Sequence, residues 1–203
     1  MGYVIPILLG YLLGSSSMAY YISRYQKKDI RANGSGNLGA SNATVLLGWR
    51  AGVTVALHDI AKAVIAVLLA KLLFSGMKYA GAAAGVAAVY GHIFPFYLKF
   101  RGGKGLASFW GMTLALNWKL GLAAALVIFL ATVITDFISI GALSVIVFVP
   151  VCMGLMSRGW ETALIVAAAS LVMFCKHWEN IGRLIRKEEI GLRSTIRGEK
   201  RMK

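Results

Sequence analysis

The sequence predicts an all-α fold, a polytopic membrane helix bundle of about seven spans, some of them short. Three observations predict it. Of the 203 residues, 58% are apolar and only 15% are charged, where a soluble domain carries about a quarter charged residues. The mean hydropathy is +0.70. The apolar residues also fall in long runs, separated by short segments rich in glycine, asparagine and basic side chains.

The elements follow in order. Residues 3–21 form the first apolar run, and no Lys or Arg precedes Arg24, so the basic leader of a signal peptide is missing. Positive charge comes afterwards, at Arg24, Lys27, Lys28 and Arg31. That asymmetry puts the N-terminus outside and the end of the first helix in the cytoplasm. Further runs cover residues 51–73, 79–97, 106–117, 119–135, 137–156 and 162–176. The tail after Cys175 is basic, from Lys176 through Arg183, Arg193 and Arg197 to Lys203, and belongs in the cytoplasm. An N-out, C-in chain crosses an odd number of times. Seven spans satisfy this, and so do five spans with 106–135 as a re-entrant hairpin. Fusing 106–135 into one helix gives an even count and is rejected. A single integral membrane domain over residues 1–203, multi-pass and monomeric, is expected.

Charge narrows the partners. The chain holds 22 Lys and Arg against 8 Asp and Glu, a net +14. These cations flank apolar runs, so the lipid bilayer and phosphorylated small molecules suit them better than nucleic acid. Cys152 and Cys175 lie in apolar stretches and read as small hydrophobes. No zinc-ligand spacing occurs, and no metal or cofactor is expected.

The polar residues collect in the segments assigned to the cytoplasm, 24–50, 98–105, the turn at Asp136 and 177–203. The first contains Asn33-Gly34-Ser35-Gly36-Asn37-Leu38-Gly39-Ala40-Ser41-Asn42. Its glycines let successive N–H groups turn inward as a nest for an anionic oxygen, and Ser35, Asn37 and Asn42 supply further donors. A flexible turn is the alternative. The second runs from Gly91-His92 through Pro95 to Gly102-Gly103-Lys104-Gly105 and opens directly into an apolar run. Pro95 ends or kinks its helix. The following glycines, a helix N-terminus and Lys104 have the makings of a phosphate grip, although the Walker spacing is absent. His92 reads as a packing hydrogen bonder. The third is His177-Trp178-Glu179-Asn180-Ile181-Gly182-Arg183. In a continuing helix His177 and Asn180 share a face, and histidine exchanges protons near neutrality. Within the second span Asp59 and Lys62 stand three residues apart, where pairing lowers the cost of two charges in lipid. They read as structural support.

Taken together, Ser35-Gly-Asn-Leu-Gly-Ala-Ser-Asn42, Gly91-His-x-x-Pro95 with Phe100-Arg-Gly-Gly-Lys-Gly105, and His177-x-x-Asn180-Ile-x-Arg183-Leu resemble the bacterial acyl-phosphate:glycerol-3-phosphate acyltransferases. Gly14-Ser15, Ala19-Tyr20 and Asp59-x-x-Lys62 fit the same pattern, and the resemblance covers almost the whole chain. It implies a multi-pass enzyme of the bacterial inner membrane. The reaction implied joins an acyl phosphate and glycerol 3-phosphate into lysophosphatidic acid, early in phospholipid synthesis. It implies His177, Asn180 and Ser35 as catalytic residues. Phosphate binding falls to Ser35, Gly36, Asn37, Gly39, Ala40 and Asn42, with Gly102, Gly103, Lys104 and Gly105. His92, Asp59, Lys62, Ser139, Glu179 and Arg183 are supporting residues. Three positions depart from the family pattern. Val45 and Asp136 stand where an arginine is common, and Lys187 where a glycine is frequent.

The chemistry suits such residues, because an acyl phosphate is already activated. The sites five residues after His58, His92 and His177 are Ala63, Tyr97 and Gly182, so no H-x-x-x-x-D acyltransferase motif occurs. A Gly-x-Ser-x-Gly elbow is missing too. Direct attack without a covalent acyl-enzyme is expected, the proton passing to His177 or to a substrate phosphate. A transporter or flippase for a phosphorylated molecule is the rival class. Against it stand polar motifs gathered at one face and the lack of a visible inverted repeat.

Overall fold

The computed structural model describes residues 2–156 and 160–196 of the chain, with side chains up to residue 194. It is helical throughout the described residues, with no strand among them. The helices are α1 (Val4–Ser15), α2 (Met18–Tyr25), α3 (Ala40–Leu47), α4 (Trp49–Leu73), α5 (Ala80–Ile93), α6 (Leu106–Leu116), α7 (Trp118–Thr135), α8 (Ile138–Met156), α9 (Glu161–Lys176), α10 (Trp178–Ile185) and α11 (Leu192–Ile196). A single 3₁₀ turn, Phe96–Leu98, follows α5. Arg197 to Lys203, the last part of the basic tail, lie outside the described residues.

Every apolar run became helix. Five stretches are long and apolar enough to cross a bilayer: Val4–Tyr25, Trp49–Leu73, Ala80–Leu98, Trp118–Thr135 and Ile138–Met156. The pair α9 and α10, bent by 48°, is a sixth if it counts as one broken span. Helix α6 has only 11 residues, or roughly 16 Å, against about 30 Å of hydrocarbon. It does not fuse with α7, since Asn117 between them is extended (φ −150°, ψ 104°). Two details differ from expectation. The 24–50 segment is not all loop, because α3 occupies its second half. The 162–176 helix does not run straight through His177 but bends there, so His177 and Asn180 do not share one continuous helix.

Two compact units divide the chain, Met1–Trp118 and Lys119–Lys203. In the first, α1 packs chiefly on α5, and α4 lies against α3, α5 and α6. Lipid offers helices no hydrophobic drive to associate, so close backbone approach through small residues takes its place. A methyl group at Gly10 or Gly14 would overlap the backbone of Ala84 or Ala88, one turn apart on the facing helix. One at Gly91 would meet the α1 backbone at Tyr11 and Ser15, and one at Gly111 the α4 backbone at Ile60. The second unit repeats the device where Gly141 of α8 abuts Thr132 and Ile128 of α7. Its α8 and α9 pack together.

Breaks in the spans leave carbonyls that other groups must satisfy inside a membrane. The first span breaks at Ser16–Ser17, between α1 and α2. There the Tyr97 hydroxyl donates to the Ser15 carbonyl at 3.0 Å and the Lys62 ammonium to the Ser16 carbonyl at 2.7 Å. The Tyr11 hydroxyl donates to the Phe94 carbonyl at 2.7 Å, between the end of α5 and Pro95.

Substituting Gly14 with Val should force α1 away from α5 and destabilise the fold by about 1–3 kcal/mol, as overpacking does. In detergent the Tm should fall by roughly 2–10 °C. Gly76→Ala, a site with no neighbouring atom within 4 Å, should leave Tm unchanged. Equal Tm values for Gly14→Val and wild type would show that the α1–α5 contact is not tight.

Candidate active site

In the first unit, the 30–42 segment is organised by one side chain. Asn42, on the first turn of α3, is buried, and its Nδ2 donates to the Ile30 and Asn37 carbonyls at 2.9 Å each and more weakly to that of Asn33 at 3.5 Å. Its Oδ1 accepts the Ser35 N–H at 3.1 Å. The loop therefore closes around this amide. Gly34 and Gly36 take positive φ, +62° and +66°, as the nest requires. A methyl group at Gly34 would also run into the Asn42 amide. Gly39 is extended (φ −112°) and is the residue before α3, so the first amides of α3, at Ala40 and Ser41, lie at a helix N-terminus that favours anions. Ser35 is exposed. The expected role of Asn42 changes accordingly. Its amide hydrogens go to loop carbonyls, and it shapes the loop that presents Ser35, Gly36 and Asn37.

A charged cluster lies beneath the second loop. Asp59 and Lys62 are almost fully buried, and Lys62 Nζ is 2.8 Å from Asp59 Oδ1. An ammonium has three hydrogens, and Lys62 has three acceptors: Asp59 Oδ1, the Ser16 carbonyl and His92 Nδ1 at 3.0 Å. The same His92 Nδ1 lies 3.2 Å from Asp59 Oδ1, so lysine, aspartate and imidazole form one buried cluster. Asp59 is held further by its carbonyl, which accepts the Ser108 hydroxyl at 3.0 Å. His58 joins from its other side, with Nε2 3.1 Å from the Ser16 hydroxyl and Nδ1 3.6 Å from Asp59 Oδ1. His92 is the packing group expected, and it carries more than packing. Gly103 donates its N–H to the His92 carbonyl and Gly102 to that of Ile93, both at 3.0 Å. A methyl group at Gly103 would strike the imidazole, and one at Gly102 the His92 carbonyl.

The two glycines are thus needed for a close approach to His92. Their N–H groups belong to the helix end and not to a ligand, which corrects the expected grip. The half-buried Lys104 and the start of α6 follow directly. Gly105 there takes φ +98°, a conformation that suits glycine.

In the second unit, Asn180 Nδ2 donates to Glu189 Oε1 at 2.5 Å, and Arg183 Nε to Glu189 Oε2 at 2.7 Å. The Glu189 carboxylate is buried and bridges the two. Sequence reasoning missed it. Glu179, adjacent to Asn180 in sequence, is exposed and takes no part in this bridge. A signal existed in that Arg183 and Asn180 both lie on the short amphipathic α10, needing a counter-charge. His177 is buried, with Nδ1 2.7 Å from the Met173 carbonyl. Nδ1 therefore carries the hydrogen, and the basic lone pair is on Nε2. Ser139 is buried in α8 with no hydrogen-bond partner for its hydroxyl among the described residues. No group of three or more metal-binding side chains occurs among the described residues.

Asp136 explains how the tail reaches Glu189. It takes a left-handed conformation (φ +69°) between α7 and α8. Its carbonyl accepts the Leu192 N–H at 2.6 Å, its carboxylate the Arg193 N–H at 2.9 Å, and Arg193 Nε stands 3.9 Å away. Gly191 has no room for a methyl group against that carboxylate. Asp136→Gly keeps the backbone relaxed but removes the anchor, a loss of about 1 kcal/mol. Trypsin should then cut at Arg186 and Lys187 about fivefold faster. An unchanged cleavage rate would show that Asp136 does not hold the tail.

Comparison with known proteins agrees with the motifs. A family model described as glycerol-3-phosphate acyltransferase matches residues 4–187. A glycerol-3-phosphate acyltransferase 1 of Oceanobacillus iheyensis is 36% identical over 202 residues, 96% of this chain and 97% of the relative. One from Coxiella burnetii is 39% identical over 186 residues, 91% of this chain and 95% of the relative. Among solved structures, PlsY (YgiH), an integral membrane glycerol 3-phosphate acyltransferase, superposes in its glycerol 3-phosphate form with a TM-score of 0.88 at 27% identity, covering 94% of this chain and 96% of that one. Its lysophosphatidic acid form gives 0.86 at 26%, covering 97% and 99%. The chain belongs to the glycerol-3-phosphate acyltransferase family of integral membrane enzymes.

Proposed function

We propose that the chain transfers a fatty acyl group from acyl phosphate to the 1-hydroxyl of glycerol 3-phosphate, giving lysophosphatidic acid and phosphate. The observation that carries this is the pair of built loops in the first unit, one closed by Asn42 and one seated on His92. The reaction presents two phosphates, one on each substrate, and each loop offers amides at a helix start. Ser35 through Asn37 with Ala40, and Lys104 with Gly105, are the groups that hold them. The family membership and the two substrate- and product-named forms of the structural relative support the acceptor and product.

The step is a direct displacement. The acceptor oxygen attacks the acyl carbon, a C–O bond forms, and the bond to the phosphate oxygen breaks with its electron pair leaving on phosphate. The hydroxyl proton goes to His177 or to a substrate phosphate. Asn180, oriented by Glu189, positions a reacting oxygen. Holding and alignment supply the acceleration, since the leaving group is good.

The whole chain, residues 1–203, works as one monomeric acyltransferase domain without a cofactor, in a bacterial inner membrane. Its N-terminus faces outside and its C-terminus the cytoplasm, supported by the cations that follow the first span and fill the tail. That orientation needs an odd number of crossings: seven if the short α6 crosses, or five if α6 and α7 form a re-entrant hairpin.

Purified protein in detergent should convert acyl phosphate and labelled glycerol 3-phosphate to lysophosphatidic acid without coenzyme A or carrier protein. Acyl-CoA should give no product above background. Equal rates with acyl-CoA would refute the donor assignment.

His177→Ala and Asn180→Ala should each cut turnover by about 10²-fold or more, as loss of a positioned proton-transfer or orienting group does. With His177 as base, its removal also flattens the acidic limb of the pH–rate profile. A reduced rate with an unchanged pH profile would move the proton to a substrate phosphate.

A further inference from the structure

A concavity lined largely by cations lies at the end of the first apolar span. A cavity of about 420 Å³ opens beside α2, with Tyr20 and Leu38 as its apolar walls. Arg24, Lys27, Lys28 and Arg31 line the rest. Asp29, also in the wall, is taken by Arg31, whose N–H it accepts at 2.9 Å and whose Nε lies 3.8 Å away. Arg24, Lys27 and Lys28 have no acidic partner among the described residues. Three positive charges therefore face one concavity uncompensated.

The turn that carries them is built. Ser23, buried, donates its hydroxyl to the Lys28 carbonyl and accepts the Ile30 N–H at 3.4 Å. Lys28 donates its own N–H to the Ser23 carbonyl at 3.0 Å, and Lys27 is left-handed (φ +54°). Arg24, Lys27 and Lys28 are exposed, and cations that only set topology need no such frame. The neighbouring surface belongs to an interface: Tyr25 is 89% exposed and Tyr21 45% exposed, at the end of an apolar span.

We propose that this cavity binds the phosphate head group of an anionic lipid, with Arg24, Lys27 and Lys28 on the phosphate and Tyr20 against the glycerol. The proposal rests on the Val4–Tyr25 segment spanning a membrane and not on the acyl donor. The exposed Tyr21 and Tyr25 side chains at the end of that apolar span favour a lipid head group over a soluble phosphate.

The test uses the full chain in neutral detergent micelles, titrated with phosphatidic acid or phosphatidylcholine and read by native mass spectrometry. Wild type should retain phosphatidic acid in preference to phosphatidylcholine. In the triple variant Arg24→Gln/Lys27→Asn/Lys28→Gln the apparent Kd for phosphatidic acid should rise about tenfold or more, since each cation near an anionic lipid surface contributes a factor of about five. Asn is chosen at position 27 because it tolerates the left-handed backbone. Turnover in neutral micelles should stay within about twofold. Phosphatidic acid retained equally by variant and wild type overturns the proposal. So does a raised KM for glycerol 3-phosphate with lipid retention unchanged, which would give the cavity to the soluble substrate. A second arm needs only wild type: phosphatidic acid should protect Lys27 and Lys28 from reductive methylation while Lys187 still reacts. Unprotected lysines refute it independently of any variant's folding. Failure of the donor assignment would appear in the turnover assay alone.

Discussion

Lys62 is the tie on which the first unit depends. A lysine within an apolar span is tolerated only where its charge is balanced and each of its hydrogens is accepted. Here the three acceptors come from three parts of the chain: Asp59 of α4 itself, the carbonyl freed at the α1–α2 break, and His92 near the end of α5. One ammonium therefore fixes the places of three spans. It also fixes a loop, because His92 in turn receives Gly103 on its carbonyl and under its ring. A buried ion pair is weak evidence for stability, since desolvation offsets much of its attraction. Its value here is geometric, since it joins groups from α4, the α1–α2 break and α5 at one atom.

Small residues make that geometry reachable. A side chain of lysine's length can join three helices only if their backbones are already close. The glycine and alanine contacts of α1 with α5, and of α6 with α4, supply the closeness. Packing and polar satisfaction thus act together. Glycines set the separation, and Lys62 selects the register in which its acceptors meet.

Much of this fold was legible in the sequence, because hydrocarbon dictates long apolar runs and excludes charge from them. The runs at 51–73, 137–156 and 162–176 became helices within a residue or two. The pairing of Asp59 with Lys62 was legible from spacing alone. What was not legible depends on tertiary direction. The order of residues cannot say whether an amide such as Asn42 faces a ligand or its own loop, and the loop claimed it. Glycines 102 and 103 looked like a ligand cradle because glycine permits close approach of anything, and here the thing approached is an imidazole. Glu179 was favoured over Glu189 for adjacency to Asn180, yet α10 directs its side chain to solvent while the tail returns to place Glu189 on the buried face.

The departures from the family pattern show how local charge is redistributed. Val45 is 49% exposed on α3, so a side chain at that position projects outward, and an arginine there would add positive charge beside the Asn42-closed loop. Its absence leaves the amides of that loop and the α3 terminus as the first unit's contribution at that point. At 136, by contrast, an aspartate is a gain. Its carboxylate and carbonyl both accept backbone hydrogens of the tail, at Arg193 and Leu192, and hold the segment whose Glu189 orients Asn180. An arginine at 136 would have no acceptor for the Arg193 N–H and would repel that guanidinium, so a chain with arginine there must secure its tail by other contacts. The aspartate and the 189–193 segment are therefore one unit, and a change at either should be read with the other.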